Sequence, residues 1–593
     1  MWDDAYSKRA AIDERVRRRR ALYKGTNEVR NKVDGGISDK KADCYKNMCF
    51  ELVETQINNA IPQPKVTPRD PEDINLALDI EGYLKAEMDR IQFETINDKA
   101  ERETYVQGTV FYLVGWDSLA STPITQGELC VKMYPLDQVY PQPGITDIAD
   151  AEYIFIKELV SIPQIKKLYK VDVPPFGLYR DKAEMITCYY YNDDGYVSRI
   201  AWVDDVLVYD QESYELRQFR TCTKCGTAVP QDKMCPVCGS TKFEYRAVET
   251  EILTEDIISG VPGEQSVILA KQGTEIDYYK IRQLPFVLRR NVSDPKSLYG
   301  ISDIDIIENN QESCNKLLSK MEENVLKGGS FITVPDKTKV PIDDRTLKVI
   351  PIKDPRLAQS FNVVTVQANI QQEDILQQRM YDNARIGLGI TDSYQCKRDP
   401  TAESGKAKEI AAAQSAGRLE SKKRMKEAAY ADLYQLMFKF LLAYCDEKRT
   451  YSRLTPEGNY IEGKFFRYNF LDGEPGNVYY NDRFLFSVDS ASILSTNREA
   501  MWQETTANFQ AGTFGNPADP TTLMLYWNIM KDLGYPLAKT ALASLQQRST
   551  QLPYEMQQAI MNNPELLEAA QALATGQAEI VPKGVRNDNS KGN

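Results

Sequence analysis

Four cysteines in two matched pairs are the residues best placed to do chemistry in this sequence. Cys222-Thr-Lys-Cys225-Gly is followed, after nine residues, by Cys235-Pro-Val-Cys238-Gly. Each C-x2-C pair turns two thiolates toward one ion, and Gly226 and Gly239 permit the tight turns that follow. Four thiolates complete a tetrahedral Zn²⁺ site and leave no position for a water. The spacing predicts a structural zinc ribbon at about 218–245, not a catalytic metal. Two independent redox dithiols are the other reading, and the match between the knuckles argues against it. The flanking charges are mixed, with Lys224, Lys233 and Lys242 against Asp232 and Glu244, which favours a staple over a grip on nucleic acid. Cys44, Cys49, Cys130, Cys188, Cys314, Cys396 and Cys445 have no paired spacing and read as small buried or incidental thiols.

Other chemistry is excluded by composition. There is no histidine among the 593 residues, which removes Ser-His-Asp and Cys-His catalysis and the His-containing zinc hydrolases. No G-x-x-x-x-G-K-[ST] occurs; Ser404-Gly405-Lys406-Ala407 lacks the first glycine and the magnesium-binding hydroxyl. A P-loop ATPase is not expected. Asp303-Ile-Asp305 is a carboxylate pair at a helix start, which capping explains without a metal. Charged residues are 27% and hydrophobic ones 42%, ordinary globular usage, and the length suggests about four domain-sized units. The start, Met1-Trp2-Asp3-Asp4, is not expected to be a signal peptide. The apolar stretch Leu436 to Cys445 contains Lys439 and is too short for a membrane span. Eleven cysteines, an odd number, argue against a disulfide framework.

Charge is uneven along the chain. Net charge is −12, yet residues 1–50 hold 13 Lys/Arg against 8 Asp/Glu. Arg17-Arg18-Arg19-Arg20 sits in a predicted helix from about Tyr6 to Lys24. Phosphate or an acidic partner is one reading of this run; a solvated helix face is the preferred one. A second basic stretch, Lys397 to Glu427, has nine Lys/Arg against five acids. Weak phosphate contact and ion pairing between subunits along packed helices are both open, the latter preferred for 418–426.

The elements that must position these residues read as α+β. Helices are expected over Cys44–Ala60, Asp73–Ile91 and Glu94–Gln107. Strand signals then dominate to about Leu288, among them Val110–Val114, Leu129–Tyr134, Glu152–Lys157 and Ile186–Tyr191. Ser302 caps a helix that runs to about Lys327, where Gly328-Gly329 ends it. Six acids face three lysines on this helix. Strand candidates Phe331–Val334, Leu347–Ile352 and Asn362–Val366 follow, then a helix from about Gln371 to Ile386. A polar loop spans Thr391 to Pro400, and a helix of about 45 residues, roughly 68 Å, starts near Asp399-Pro400. Phe465–Asn469 and Phe484–Val488 return to the mixed region. Helices over Asn497–Gln510, Pro520–Leu533, Pro536–Gln546 and Pro553–Thr575 lead to a polar tail.

In this order the elements resemble the portal proteins of tailed double-stranded DNA bacteriophages. The residues carrying the likeness are Leu298-Tyr-Gly-Ile-Ser-Asp303, Gln311 and Asn315, then Gly387-Leu-Gly-Ile390 and Thr401-Ala-Glu-Ser-Gly-Lys-Ala407. The segment Pro62-Gln-Pro-Lys-Val-Thr-Pro68, after its helix, also looks like a portal amino-terminal region. The likeness covers most of residues 40–500.

It implies an amino-terminal arm and mixed wing over 1–300, with the ribbon as a wing insertion absent from the common portal pattern. It further implies a first stem helix at 301–327, a small β-rich clip at 328–370 and a second stem helix at 371–387. A tunnel loop at 388–401, a long kinked wing helix at 402–448, a wing return at 449–496, a helical crown at 497–577 and a disordered tail at 578–593 would complete the chain. Portal subunits form a ring, usually a dodecamer, at one capsid vertex of the virion after assembly in the host cytoplasm. The ring serves DNA packaging and ejection as a head-tail connector and has no catalytic activity, so the resemblance implies that the chain is not an enzyme. It docks the terminase large subunit, then neck or tail-adaptor proteins, and it meets the major capsid and scaffolding proteins; no membrane is involved. By this likeness Tyr394, Gln395, Lys397 and Arg398 touch DNA from the tunnel loop. The stem acids Glu308, Glu312, Glu322 and Glu323 are candidates to face the channel, where few cations let DNA slide. A different ring-forming connector and a zinc-ribbon nucleic-acid-binding protein are the alternative readings.

Overall fold

The computed structural model describes residues 1–545 apart from 27–29, 34–35, 42–43, 45, 122–125, 213, 215–216, 227–233, 236, 249, 253–274, 328, 334–361, 367–369, 391–404, 455–459, 471–482, 490–497, 517–518, 533–534, 536, 539 and 543. Contacts divide the chain into two compact units, Met1–Ser490 and Ala491–Asn593.

The larger unit is a mixed helix and sheet assembly. It begins with α1 (Trp2–Ser7), α2 (Ala10–Lys24), α3 (Met48–Gln56), β1 (Gln63–Pro68), α4 (Ile74–Ile91) and α5 (Phe93–Gln107). Next come β2 (Thr109–Ser121), β3 (Gln126–Pro135), β4 (Val139–Pro141), β5 (Tyr153–Ser161), α6 (Ile162–Tyr169), β6 (Lys182–Tyr191), β7 (Val197–Val203) and β8 (Val206–Gln211). The ribbon strands are β9 (Arg217–Cys222) and β10 (Phe243–Val248), followed by β11 (Phe286–Arg290). Then α7 (Asp303–Lys327), β12 (Gly329–Thr333), β13 (Asn362–Val366), α8 (Gln371–Leu388) and the 40-residue α9 (Gly405–Tyr444) follow. β14 (Arg449–Leu454), β15 (Tyr460–Phe465) and β16 (Phe484–Asp489) close the unit.

A three-stranded sheet in the order β11-β2-β3 lies at the centre. Side chains alternate across a strand, and β2 shows it. Val110, Tyr112 and Val114 join a core with α4 and the second half of α9. Phe111 points the other way, into a core with Ile154, Ile156 and Tyr189 of the five-stranded sheet β8-β7-β6-β5-β4. The second half of α9 is apolar except for one polar stripe, Asp432, Gln435 and Lys439, and from Ala429 to Ala443 Tyr430, Leu433, Tyr434, Met437, Phe438 and Leu441 are fully buried, as such a pattern requires. β16 pairs antiparallel with β1, Phe484 opposite Pro68. The smaller unit holds α10 (Arg498–Gln510) and α11 (Pro520–Asp532) around Tyr526 and Met530, with Phe509 stacked on Tyr526 at 4.3 Å.

Most expected helices and strands of the first 330 residues stand within about four residues of their predicted ends, but the strand expected over Val110–Val114 runs on to Ser121 and the helix expected from Tyr6 to Lys24 is broken between Ser7 and Ala10. The expected strand Leu347–Ile352, the expected loop Thr391–Pro400 and the expected helix Pro553–Thr575 lie outside the described residues.

Candidate functional site

The cysteine cluster folds as its spacing requires. β9 and β10 pair antiparallel from Arg217 opposite Val248 to Cys222 opposite Phe243, bringing the two knuckles side by side. In each knuckle the glycine amide donates to the carbonyl of the first cysteine at 2.9 Å, Gly226 to Cys222 and Gly239 to Cys235. Both glycines sit at positive φ, +72° and +69°, where a side chain would be strained. The first cysteine of each pair is buried, Cys225 is exposed and Cys238 lies between. All four Sγ atoms lie within 4.8 Å of one another. The closest approaches cross the knuckles, Cys222–Cys238 at 3.4 Å and Cys225–Cys235 at 3.5 Å. That is far beyond a disulfide bond and close to the roughly 3.8 Å between thiolates on a tetrahedral ion with 2.3 Å bonds.

Electrostatics point the same way. Burial opposes ionisation of Cys222, but the Lys224 and Cys225 amides outweigh it and bring that thiol down to about 6. At Cys238 the Ser240 amide favours the thiolate, yet burial and the three neighbouring thiols push it up to about 12. Cys222 ionises readily and Cys238 resists, a conflict that a divalent cation resolves. The donor set and spacing are compatible with a closed four-thiolate zinc site. Among the described residues the ribbon's own apolar cluster is Cys222 and Cys235 with Cys238 and Phe243 against them, too little to hold a fold without a staple.

The other described cysteines behave as small buried or half-buried groups. Burial pushes Cys49, Cys188 and Cys445 up to about 12, far from nucleophilic use. Cys396 lies outside the described residues.

The second candidate region is the helical arm. α7 and α8 run antiparallel: the Gln377 amide donates to Cys314 Sγ at 3.5 Å, and Lys320 pairs with Glu373 at 3.7 Å. β12 and β13 continue the arm as an antiparallel pair, Gly329 opposite Val366. The base of the arm is fixed by polar contacts. Asp303, fully buried, accepts from Lys422 Nζ at 2.8 and 2.7 Å, Gln56 Nε2 at 2.9 Å and Asn291 Nδ2 at 2.7 Å. Four residues along α9, Lys426 pairs with fully buried Glu101 at 2.5 Å, and Arg289 reaches the same carboxylate at 2.9 Å. Burial alone would raise the Glu101 carboxyl, but Arg289 and Lys426 outweigh it and hold it below the ordinary range.

Of the residues quoted for the family likeness, Leu298–Asp303, Gln311 and Asn315 lie at this junction, while Thr401–Ser404 lie outside the described residues. Gly108, at φ +79°, and Gly300 pass backbone to backbone, so a Cβ on either would collide with the other's carbonyl oxygen. Gln311 Oε1 accepts from the Met48 and Cys49 amides at 2.8 and 3.1 Å, satisfying the first turn of α3, and its Nε2 donates to Asn315 at 2.8 Å.

The basic run is not a solvated face. Arg18 pairs with Glu308 and, at 2.9 Å, with Glu312. Arg19, buried, reaches Asp305 and the Gln107 carbonyl. Arg20 bridges Glu103 and Asp137. Three consecutive arginines thus clamp α2 to α5, α7 and the 136–138 turn. Asp303 and Asp305 are both consumed by cations of the chain, which is a firmer account of the pair than capping. The 418–426 cluster also pairs within one chain: besides Lys422 and Lys426, Lys423 meets Glu427 and Arg424 meets Glu420.

Of the four stem acids, Glu308 and Glu312 carry the Arg18 contacts, and Glu322 accepts from Cys44 Sγ at 2.9 Å. The side chain of Glu323 and all of Tyr394, Gln395, Lys397 and Arg398 lie outside the described residues. Sequence reasoning missed Glu101, Arg289, Gln56 and Asn291. A signal existed for Glu101: it falls at helical spacing with Phe93, Asn97, Ala100 and Thr104 on the buried face of α5, where a carboxylate needs a buried cation.

No family model matches the chain, and no curated protein matches it.

Proposed function

We propose that the chain is a portal-type subunit, assembling as a ring at one capsid vertex through which double-stranded DNA enters and leaves. The observation that carries this reading is the arm, a helix, an antiparallel strand pair and a returning helix that lead directly toward a 40-residue helix. A stem, clip and long wing helix require that order. Five apolar side chains on the arm face solvent in a single chain: Ile306, Val325, Ile375, Leu376 and Ile386. Neighbouring subunits would cover them. The strand pair β12–β13 has too few strands to stand alone and gains from pairing in an oligomer.

In this role the protein does no chemistry of its own. The acids of the arm discourage a tight grip on phosphate, which a conduit must avoid. The cysteine cluster would hold one structural zinc, stapling an insertion of the wing. Terminase, neck or tail-adaptor, capsid and scaffolding proteins are the partners of this reading, and the virion vertex is its location. Electron microscopy of the purified chain tests it. End-on averages with a central hole and about twelve subunits are the expected result; a uniform monomer population at micromolar concentration refutes it.

A further inference from the structure

The four thiols of the ribbon are not equally placed. Cys222 and Cys235 are 1% and 2% exposed, Cys238 is half-buried and Cys225 is exposed. The other described cysteines are buried or half-buried, so Cys225 is the exposed one among the described residues. A small oxidant arriving from solvent therefore meets its sulfur first, since oxidation of a thiolate follows access. What lies behind that sulfur decides the product. Cys225 Sγ stands 3.5 Å from Cys235 Sγ, and Cys222 Sγ stands 3.4 Å from Cys238 Sγ. A disulfide needs about 2.0 Å, so either pair has to close by only about 1.5 Å.

The two pairs are also nested in the sense of the hairpin that carries them. β9 and β10 run antiparallel up to Cys222 opposite Phe243, and the Thr223 amide donates to the Lys242 carbonyl at 3.2 Å, which extends that register by one residue. Cys222 with Cys238, then Cys225 with Cys235, continue the pairing inward, three residues along each arm. Both bridges can form together without the knuckles trading places. Bridges within each knuckle, Cys222 to Cys225 and Cys235 to Cys238, would instead leave the two arms unlinked.

We propose that Cys225 is an oxidation site, and that a hydroperoxide converts the ribbon from a metal staple to a covalent one. The Cys225 thiolate attacks the peroxide: an S–O bond forms, the O–O bond breaks and hydroxide leaves. The Cys235 thiolate then attacks that sulfur; the S–S bond forms, the S–O bond breaks and a second hydroxide leaves. A pair of thiolates has lost two electrons, and one peroxide has become two hydroxides. Cys222 and Cys238 repeat the sequence with another peroxide. No thiolate is then left to ligate a metal, and the nested bridges hold 217–248 closed in its place. Such an exchange suits a chain made among reduced thiols and later carried into an oxidising medium, the history that the virion reading gives it. The proposal rests on the zinc reading, and the test separates their failures.

The full chain, its zinc content measured beforehand, is treated with hydrogen peroxide. Released zinc is followed with a colorimetric chelator, remaining thiols are alkylated, and bridges are mapped by mass spectrometry of unreduced peptides. The expected result is zinc release in step with Cys225–Cys235 and Cys222–Cys238 bridges, with 217–248 still resistant to protease until a reductant is added. An untreated chain without zinc overturns the zinc reading and this proposal with it. In a chain that does hold zinc, bridges within the knuckles, oxidation to sulfonate without bridges, a protease-sensitive ribbon, or zinc retained over an intact Cys225 overturns this proposal alone. Two variants that keep a fourth zinc ligand give an independent readout. Cys225→His should slow zinc release by about tenfold, while Cys238→His should release zinc as fast as the native chain. Equal rates in the two variants refute Cys225 as the first target.

Discussion

Asp303→Asn is the sharpest test of how the arm is held. The carboxylate is fully buried at the first residue of α7 and accepts from Lys422, Gln56 and Asn291. Asparagine has nearly the same volume, so no cavity forms. It removes the charge that balances Lys422, whose side chain is 11% exposed, and it turns one amide NH2 toward groups that are already donors. Removing one partner of a buried pair costs about 3–5 kcal/mol, and the slight exposure of Lys422 argues for the lower end, about 3 kcal/mol. Lys422→Met should cost a similar amount, because Asp303 then keeps only two neutral amide donors. The double variant should lose far less than the two losses added, since neither charge is then stranded; the coupling should be about 3 kcal/mol. A chain of this size need not unfold in one step, so urea unfolding by tryptophan fluorescence is best joined to hydrogen exchange at the amides of 303–307. Protection there should fall about 100-fold in Asp303→Asn. Additive single losses, or a loss under about 1 kcal/mol in Asp303→Asn, would refute the view that this pair holds the arm.

Other outcomes follow from the same geometry. Metal analysis of the purified chain should find one zinc per chain, and Cys235→Ser should remove it and open 217–248 to proteases while the rest of the larger unit stays folded. Gly108→Ala should cost roughly 2–4 kcal/mol, from a side chain at positive φ and a collision with the Gly300 carbonyl; thermal unfolding reads it, and a neutral result would remove the close-approach argument. Glu101 has a folded pKa held below its ordinary 4.5, so its contribution is present above pH 4.5 and is lost as pH falls through the folded value. Stability measured across pH 3–6 should therefore decline toward acid, and Glu101→Gln should be less stable at neutral pH but lose that part of the decline.

Local pattern carried most of the secondary structure. The Ser302 cap of α7, the continuous β-prone apolar run Val110–Val114 of β2 and the apolar-rich second half of α9 each state their element without tertiary help. The cysteine knuckles were legible for the same reason, since their spacing fixes their geometry. Charge was not. Arg17 to Arg20 points around a whole helix, and sequence spacing cannot say that Asp305, Glu308 and Glu312, almost 300 residues away, will face Arg18 and Arg19. Lys422 and Lys426 posed the same problem: their partners, Asp303 and Glu101, sit on helices far away in sequence. A carboxylate on a buried helix face was the only hint, and it names the need for a cation without naming which.

The pairing of β1 with β16 has a consequence for how the protein is made. Ser487 Oγ donates to the Lys65 carbonyl, 422 residues away. The strand near the start therefore waits, with its hydrogen-bonding edge open, until nearly the whole larger unit has left the ribosome. At 5–20 residues per second that is roughly 20–80 s. During that time Val66 and its neighbours have no sheet to join, and α9, which supplies the core, is also late in the chain. The nascent protein is thus a poor candidate for domain-by-domain folding over its first 490 residues, and a natural client for a chaperone that shields strand edges.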